Sequence, residues 1–264
     1  MIVAEDSKKK EVFLMKIQLI RNAALWLEYG GVTFLIDPML SEKEANPPIV
    51  NTENQRRNPL VALPGPAEQW LAPDAVLVTH LHQDHWDQAA VSLLSHELPV
   101  LCQDGDGETI AAQAFKHISV VDDSEELQFQ GVTLKRTGGQ HGTGEIGKLM
   151  GKVSGFVFRA EGEPTLYLAG DTIWCEEVKQ ALDEHTPEVV VVNAGGAQFL
   201  TGGHITMNEQ DVVELCRYLP SASVIAVHME AINHCLVTRA QLKGRLEQEG
   251  LLERVTLPLD GEWC

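Results

Sequence analysis

The sequence predicts an α/β fold: two mixed β-sheets covered by helices. Short runs rich in valine, isoleucine and leucine recur along the chain and alternate with helix-like segments, which points to layered strands and helices. Several of the runs are separated only by tight turns, so antiparallel pairs must sit beside the crossover units. The chain has 264 residues, 44% of them hydrophobic, enough for one sizeable core. It contains no internal repeat and no low-complexity tract.

Taken in order, residues 1–14 carry Glu5, Asp6, Lys8, Lys9, Lys10 and Glu11 and lack a long apolar run. They are expected to be an extension outside the core fold and not a signal peptide. The domain is expected to span residues 15–264. Lys16 to Ile20 and Ala24 to Tyr29 read as strands. Gly30-Gly31 is a hairpin turn, and Val32 to Ile36 returns to Asp37-Pro38. Residues 40–68 hold Pro47, Pro48, Pro59, Pro64 and Pro66 and predict a long loop that walls an active site or packs on a second subunit. Further on, Asp87 to Leu94 is helix-like, Pro99 to Cys102 a strand and Glu108 to Phe115 a short helix. His117 to Val121 and Val132 to Arg136 are strands. Two capping boxes, Thr206-x-x-Glu209 and Thr238-x-x-Gln241, announce the last two helices. The first should bury Val212, Val213 and Leu215, and the second Leu242 and Leu246.

The chemistry centres on Thr79-His80-Leu81-His82-Gln83-Asp84-His85-Trp86, an H-x-H-x-D-H pattern directly after the apolar run Ala75 to Val78. A strand ending there delivers all four side chains to one edge. His80 and His82 are two apart and face the same way on an extended chain, so they can share one ion. Imidazole and carboxylate are ligands that zinc and similar metals prefer. Three more strand-like runs end on metal-competent residues: His141 in Gly138-Gly139-Gln140-His141-Gly142, Asp171 after Leu166 to Gly170, and His228 after Val224 to Val227.

The order H-x-H-x-D-H, then His, Asp, His, resembles the signature of the metallo-β-lactamase-fold superfamily of metal-dependent hydrolases, over nearly the whole chain from about residue 15. The resemblance implies an αββα sandwich and a two-metal site. Carried over residue by residue, His80, His82 and His141 hold one ion; Asp84, His85 and His228 hold the other; Asp171 bridges them. Asp37 of the Asp-Pro turn braces the metal-site loop. Two Zn2+ per chain are expected, with Mn2+ or Fe2+ as alternatives. Such a pair lowers the pKa of a shared water towards about 7, so that hydroxide attacks an electrophilic carbon. Asp84 would orient that hydroxide and carry a proton to the leaving group.

Within the superfamily, Val189 to Gly196 followed by Gly202-Gly203-His204-Ile205-Thr206 looks like the branch of ascorbate-phosphate lactonase-like proteins. His204 is expected to be catalytic, donating a hydrogen bond to the substrate or intermediate. His234 and Cys175 are expected to be structural. Trp86, Trp174, Phe199, Met150 and Met229 are candidates for an apolar pocket, and the glycine-rich stretch 142–151 for a flap. A phosphate-bearing substrate would need converging Lys or Arg, but Lys148, Lys152 and Arg239 are scattered along the chain. The chain is also similar to bacterial hydrolases that detoxify plant isothiocyanates. That resemblance implies hydrolysis to an amine and carbonyl sulfide. A lactonase or other small ester or amide hydrolase is the alternative, and a non-catalytic metal-binding protein the alternative from another class.

A net charge of −18, with basic clusters only at Lys8 to Lys10 and Arg56-Arg57, excludes a surface that tracks nucleic acid. Five cysteines without a C-x-x-C pair imply no disulfide framework and favour a cytoplasmic protein. No apolar stretch is long enough to span a membrane. The expected partner is a small-molecule substrate, and the expected assembly a homo-oligomer, most simply a dimer.

Overall fold

The computed structural model describes residues 15–264; the expected N-terminal extension, residues 1–14, lies outside the described residues. β1 (Lys16–Arg21), β2 (Ala24–Tyr29) and β3 (Val32–Ile36) form an antiparallel meander. Gly30 and Gly31 turn between the last two with φ of 59° and 79°, a pair of left-handed positions that favours glycine. β4 (Ala75–Val78), β5 (Pro99–Gln103) and β6 (His117–Val121) then add in parallel and complete a sheet in the order β1-β2-β3-β4-β5-β6.

The second sheet is mixed in the same way. β7 (Leu127–Phe129), β8 (Val132–Thr137), β9 (Gly155–Arg159) and β10 (Leu166–Leu168) are antiparallel. β11 (Val189–Asn193), β12 (Ser223–Val227) and β13 (Val255–Thr256) continue in parallel, giving the order β13-β12-β11-β10-β9-β8-β7.

Strand alternation builds the layers. In β4, Ala75 and Leu77 enter the core between the sheets, while Val76 and Val78 pack outward beneath α1 (Gln88–Leu93) and α2 (Gly107–Ala112). In β12, Ile225 and Val227 join the central core, and Val224 and Ala226 face the helices α4 (Glu176–His185), α5 (Glu209–Tyr218) and α6 (Arg239–Glu249). Central strands with both faces covered are apolar throughout, which is why the runs at 75–78 and 189–192 show no polar alternation. The result is the αββα sandwich. Among the described residues, no helix is long and apolar enough to cross a membrane.

One local expectation needs correction. α5 is capped by Asn208 with Asp211, and not by Thr206 with Glu209; the Thr206 hydroxyl instead accepts from the Ala197 backbone N–H. Asn and Thr are both good caps, and the loop path places Asn208 at the turn. The glycine-rich stretch 142–151 is largely helical, as α3 (Gly144–Met150). At the other helix, Thr238 and Gln241 form the expected capping box.

Candidate metal centre

The ends of β4, β8, β10 and β12 lie along one edge of the sandwich, and the loops that follow them carry seven metal-competent side chains. His80, His82 and His141 form one group, and Asp84, His85, Asp171 and His228 another; within each, the donor atoms lie within 4.8 Å of one another. Asp171 Oδ2 is 3.5 Å from His141 Nε2 and 3.2 Å from His85 Nε2, so this carboxylate faces both groups. Asp84 Oδ2 lies 3.2 Å from His228 Nε2. All seven residues are buried except His82, which is half-buried.

The surrounding hydrogen bonds decide which ring nitrogen faces inward. His141 Nδ1 lies 2.7 Å from the Ile205 carbonyl and must donate to it, which leaves the Nε2 lone pair for the centre. His85 Nδ1 lies 2.8 Å from Asp37 Oδ2. Asp37 also accepts from the Thr79 N–H and hydroxyl, both at 2.7 Å, so it braces the loop that carries the histidines. His80 Nδ1 faces the Thr79 hydroxyl at 3.1 Å, and His228 Nδ1 faces Cys235 Sγ at 3.4 Å. Asn193, at the end of β11, donates to Asp171 Oδ1 at 2.6 Å. Nitrogens thereby meet nitrogens across the centre, His80 with His82 at 2.9 Å and His85 with His228 at 3.2 Å. Converging lone pairs of this kind suit a cation, so the donor set fits divalent metal.

The electrostatics agree. Burial would raise the carboxyls of Asp84 and Asp171, yet His85 and His228 hold both well below the usual carboxylate range. Burial opposes charge on His85, but Asp171, Asp37 and Asp84 overcome it and raise its pKa to about 10. His228 is likewise raised against burial by Asp171, Cys235 and Asp84. Burial pushes His80 and His141 down. The buried carboxylates thus draw both rings towards their protonated forms.

Metal and proton therefore compete. Loading the metal-free protein at pH 7 should release about two protons per chain, and affinity should rise with pH through neutrality. Calorimetric titration in buffers of different ionisation enthalpy measures the release. A titration that releases none would show that both rings are neutral beforehand.

Beside the centre is a cavity of about 230 Å³. Its lining combines His82, Asp84, His141 and Asp171 with the apolar side chains of Ile49, Met150, Phe199 and Ile205, together with Gln83 and His234. Ile49 comes from the 40–68 loop, which Asn233 secures: its side chain exchanges hydrogen bonds with the Ile49 N–H and carbonyl and donates to the Thr52 hydroxyl at 2.8 Å. Of the aromatic and sulfur-bearing candidates, Phe199 and Met150 reach the cavity. Trp86 packs on Phe115 between the first two helices, Trp174 on Tyr218, and Met229 in the helix-covered core. Lys148, Lys152 and Arg239 pair with Glu145, Asp104 and Glu230, and no Lys or Arg is among the residues lining the cavity.

His204 and His234 are placed differently. His204 Nε2 lies 2.7 Å from Asp211 Oδ2, inside the cap of α5, and the ring is not among those lining the cavity. The ring thereby anchors a helix start. His234, expected to be structural, lines the cavity. Cys175 is structural, as expected: it is buried at the N-terminus of α4 beside the Thr172 hydroxyl, and burial pushes its thiol up. Asn193 and Cys235 escaped sequence reasoning as supports. For Asn193 a signal existed, since it ends a strand run as Asp171 and His228 follow theirs.

Comparison with known proteins agrees with this geometry. The model of the β-lactamase superfamily domain matches residues 33–229. The UPF0173 protein YddR of Bacillus subtilis is 39% identical, over 94% of this chain and 98% of its own. A UPF0173 metal-dependent hydrolase of Pyrococcus abyssi is 26% identical, over 81% of this chain and 84% of its own. Among solved structures, the isothiocyanate hydrolase from Delia radicum gut bacteria superposes with a TM-score of 0.90 at 42% identity, covering 95% of this chain and 98% of that one. A possible metal-dependent hydrolase from Veillonella parvula gives 0.91 at 37%, covering 94% and 98%.

Proposed function

This chain belongs to the β-lactamase superfamily and is a metal-dependent hydrolase; on that footing we propose that it holds two zinc ions and hydrolyses isothiocyanates to an amine and carbonyl sulfide. The observation that carries the reading is the cavity: a cluster of metal-competent residues opens into a small space with apolar walls and no cationic side chain in its lining. A phosphate-bearing substrate would find no lysine or arginine there. A compact electrophile with an apolar tail finds Ile49, Met150, Phe199 and Ile205. Their sequence neighbours Val50, Leu149 and Leu200 are apolar and 74%, 74% and 57% exposed. The likeness to the isothiocyanate hydrolase supports the same reading.

Bound zinc supplies a water activated at neutral pH. His80, His82 and His141 would hold one ion, Asp84, His85 and His228 the other, and Asp171 would join them. The chain's own residues do the rest. Asp84 is both a ligand candidate and part of the lining, so it can take the proton of the attacking water and hold it near the substrate. The apolar walls orient the tail and exclude other water. Asp37, Asn193 and the Ile205 carbonyl fix the orientation of the donors.

Elemental analysis of the purified protein should find two zinc equivalents. Loss of phenethyl isothiocyanate absorbance, measured beside hydrolysis of simple lactones and sugar-phosphate lactones, should show rapid turnover of the isothiocyanate alone. Efficient lactone turnover, with isothiocyanate lost only at the buffer rate, would instead make this a lactonase. Less than one equivalent of metal, with no gain of activity on adding zinc, would sink the two-zinc reading.

A further inference from the structure

Resting on the two-zinc reading but not on the substrate, we propose that Asn22 is a positioning residue for one of the two ions: from a buried turn it ties the backbone of Asp84 to that of His228. Its side-chain Nδ2 donates to the Asp84 carbonyl at 3.1 Å. Its own carbonyl accepts from the His228 N–H at 2.9 Å. Asp84 follows β4 in one sheet, and His228 follows β12 in the other. One residue thus bonds to both loops, and the side chains they carry meet, with Asp84 Oδ2 3.2 Å from His228 Nε2. Neither bond goes to His80, His82 or His141, the other donor group.

The turn has the features of a fixed support. Arg21 pairs with Ala24, so Asn22 and Ala23 make a tight connection between β1 and β2. Connections of this kind normally run over the surface, yet Asn22 is 0% exposed and Ala23 3%. A buried turn must partner its backbone groups inside the protein, and the Asn22 carbonyl finds its partner in the loop that carries His228. Asn22 has a φ of 61°, a left-handed conformation that asparagine adopts more readily than most residues. Arg21 clamps the base of the turn, since its buried guanidinium donates to the carbonyls of Met39, Ser41 and Val61 at 2.9, 2.8 and 3.1 Å. His228 is itself strained, with a φ of 62°, and the bond to Asn22 helps to hold it there.

Groups that orient metal ligands without touching the metal typically change its affinity by about 10- to 100-fold when lost. Both bonds of Asn22 reach one donor group, so its loss should loosen one ion and spare the other. A residue that merely supported the fold would act on both.

Asn22→Gly removes the amide, keeps the carbonyl that His228 uses and leaves a residue at ease with positive φ. Calorimetric titration of the metal-free protein with zinc, against a competing chelator, measures both binding steps. Histidine ring resonances recorded alongside show which donor group each ion enters. In the variant, the ion held by Asp84, His85 and His228 should bind about 10- to 100-fold more weakly, and the ion held by His80, His82 and His141 within about 3-fold of wild type. In the wild type, the Asn22 side-chain amide resonance should shift as zinc enters the first of these groups and stay nearly still as it enters the second, which decides the matter if the variant does not fold. Equal weakening of both ions, or an amide resonance that does not respond to the first group, overturns the proposal. Two equivalents bound with unchanged affinities in the variant would leave the two-zinc reading standing and remove the role of Asn22. A single equivalent bound by the wild type would bring down the two-zinc reading, and the proposal with it.

Discussion

Asp171→Asn is expected to reduce turnover by about 10³-fold or more, the scale of several kcal/mol of lost charge stabilisation at a two-metal site, with little change in fold. Asn is the informative replacement because it keeps the shape. Its side-chain oxygen can still accept from Asn193, the bond that Asp171 Oδ1 makes at 2.6 Å. What it removes is the charge on the carboxylate that faces both donor groups, 3.5 Å from His141 and 3.2 Å from His85. The metal-free variant should also hold its proton on His85 less tightly, because Asp171 is the largest of the three carboxylate influences that raise that ring to about 10. Zinc content, isothiocyanate turnover and the thermal midpoint of the metal-free form should be measured together. Near-normal turnover with two zinc ions retained would remove Asp171 from the bridging position.

Gly195→Ala is expected to disrupt the site from outside it. Gly195 follows β11 closely and packs against the turn after β12. A Cβ there would lie well inside van der Waals contact distance of the His228 carbonyl oxygen and would crowd the Cys235 side chain at 3.0 Å. His228 cannot easily yield, because it already sits at φ 62°, a left-handed conformation that costs a non-glycine residue about 1–3 kcal/mol. Its backbone N–H also donates to the Asn22 carbonyl. Overpacking of this kind costs about 1–3 kcal/mol, which for a chain of this size lowers the thermal midpoint by about 2–4 °C per kcal/mol. One equivalent of zinc should be lost with it. Gly203→Ala is the control: nothing lies near its would-be Cβ, and its stability should stay within about 0.5 kcal/mol of wild type. A Gly195→Ala protein with unchanged midpoint and metal content would show that the His228 turn is more yielding than its packing suggests.

The sequence by itself determined the layered α/β fold and the seven residues that converge. Both are written in local patterns. An unbroken apolar run such as Ala75 to Val78 or Val189 to Val192 marks a strand buried on both faces, and a His or Asp just beyond such a run must lie at a sheet edge. β8, β10 and β12 run the same way as alternate strands of one sheet, and β4 ends at the facing edge of the other, so residues 80, 141, 171 and 228 meet there. Asp37 was legible for the same reason, as the end of β3, which pairs directly with β4.

The tertiary structure alone decided which residues surround that centre. His204 and His234 carry the same side chain, and nothing in their sequence neighbourhoods separates a helix anchor from a cavity wall. His204 is drawn to Asp211 because the path into α5 leaves that carboxylate within 2.7 Å. His234 faces the cavity because the chain turns at His228 and Glu230, both with positive φ, and folds back so that Cys235 pairs with Ala197. In the same way, Ile49 walls the cavity only because Asn233, far along the chain, holds the long loop in place. Contacts of this sort depend on where irregular backbone runs in space, and that path is set by hydrogen bonds between distant residues, for which a strand or helix period leaves no trace.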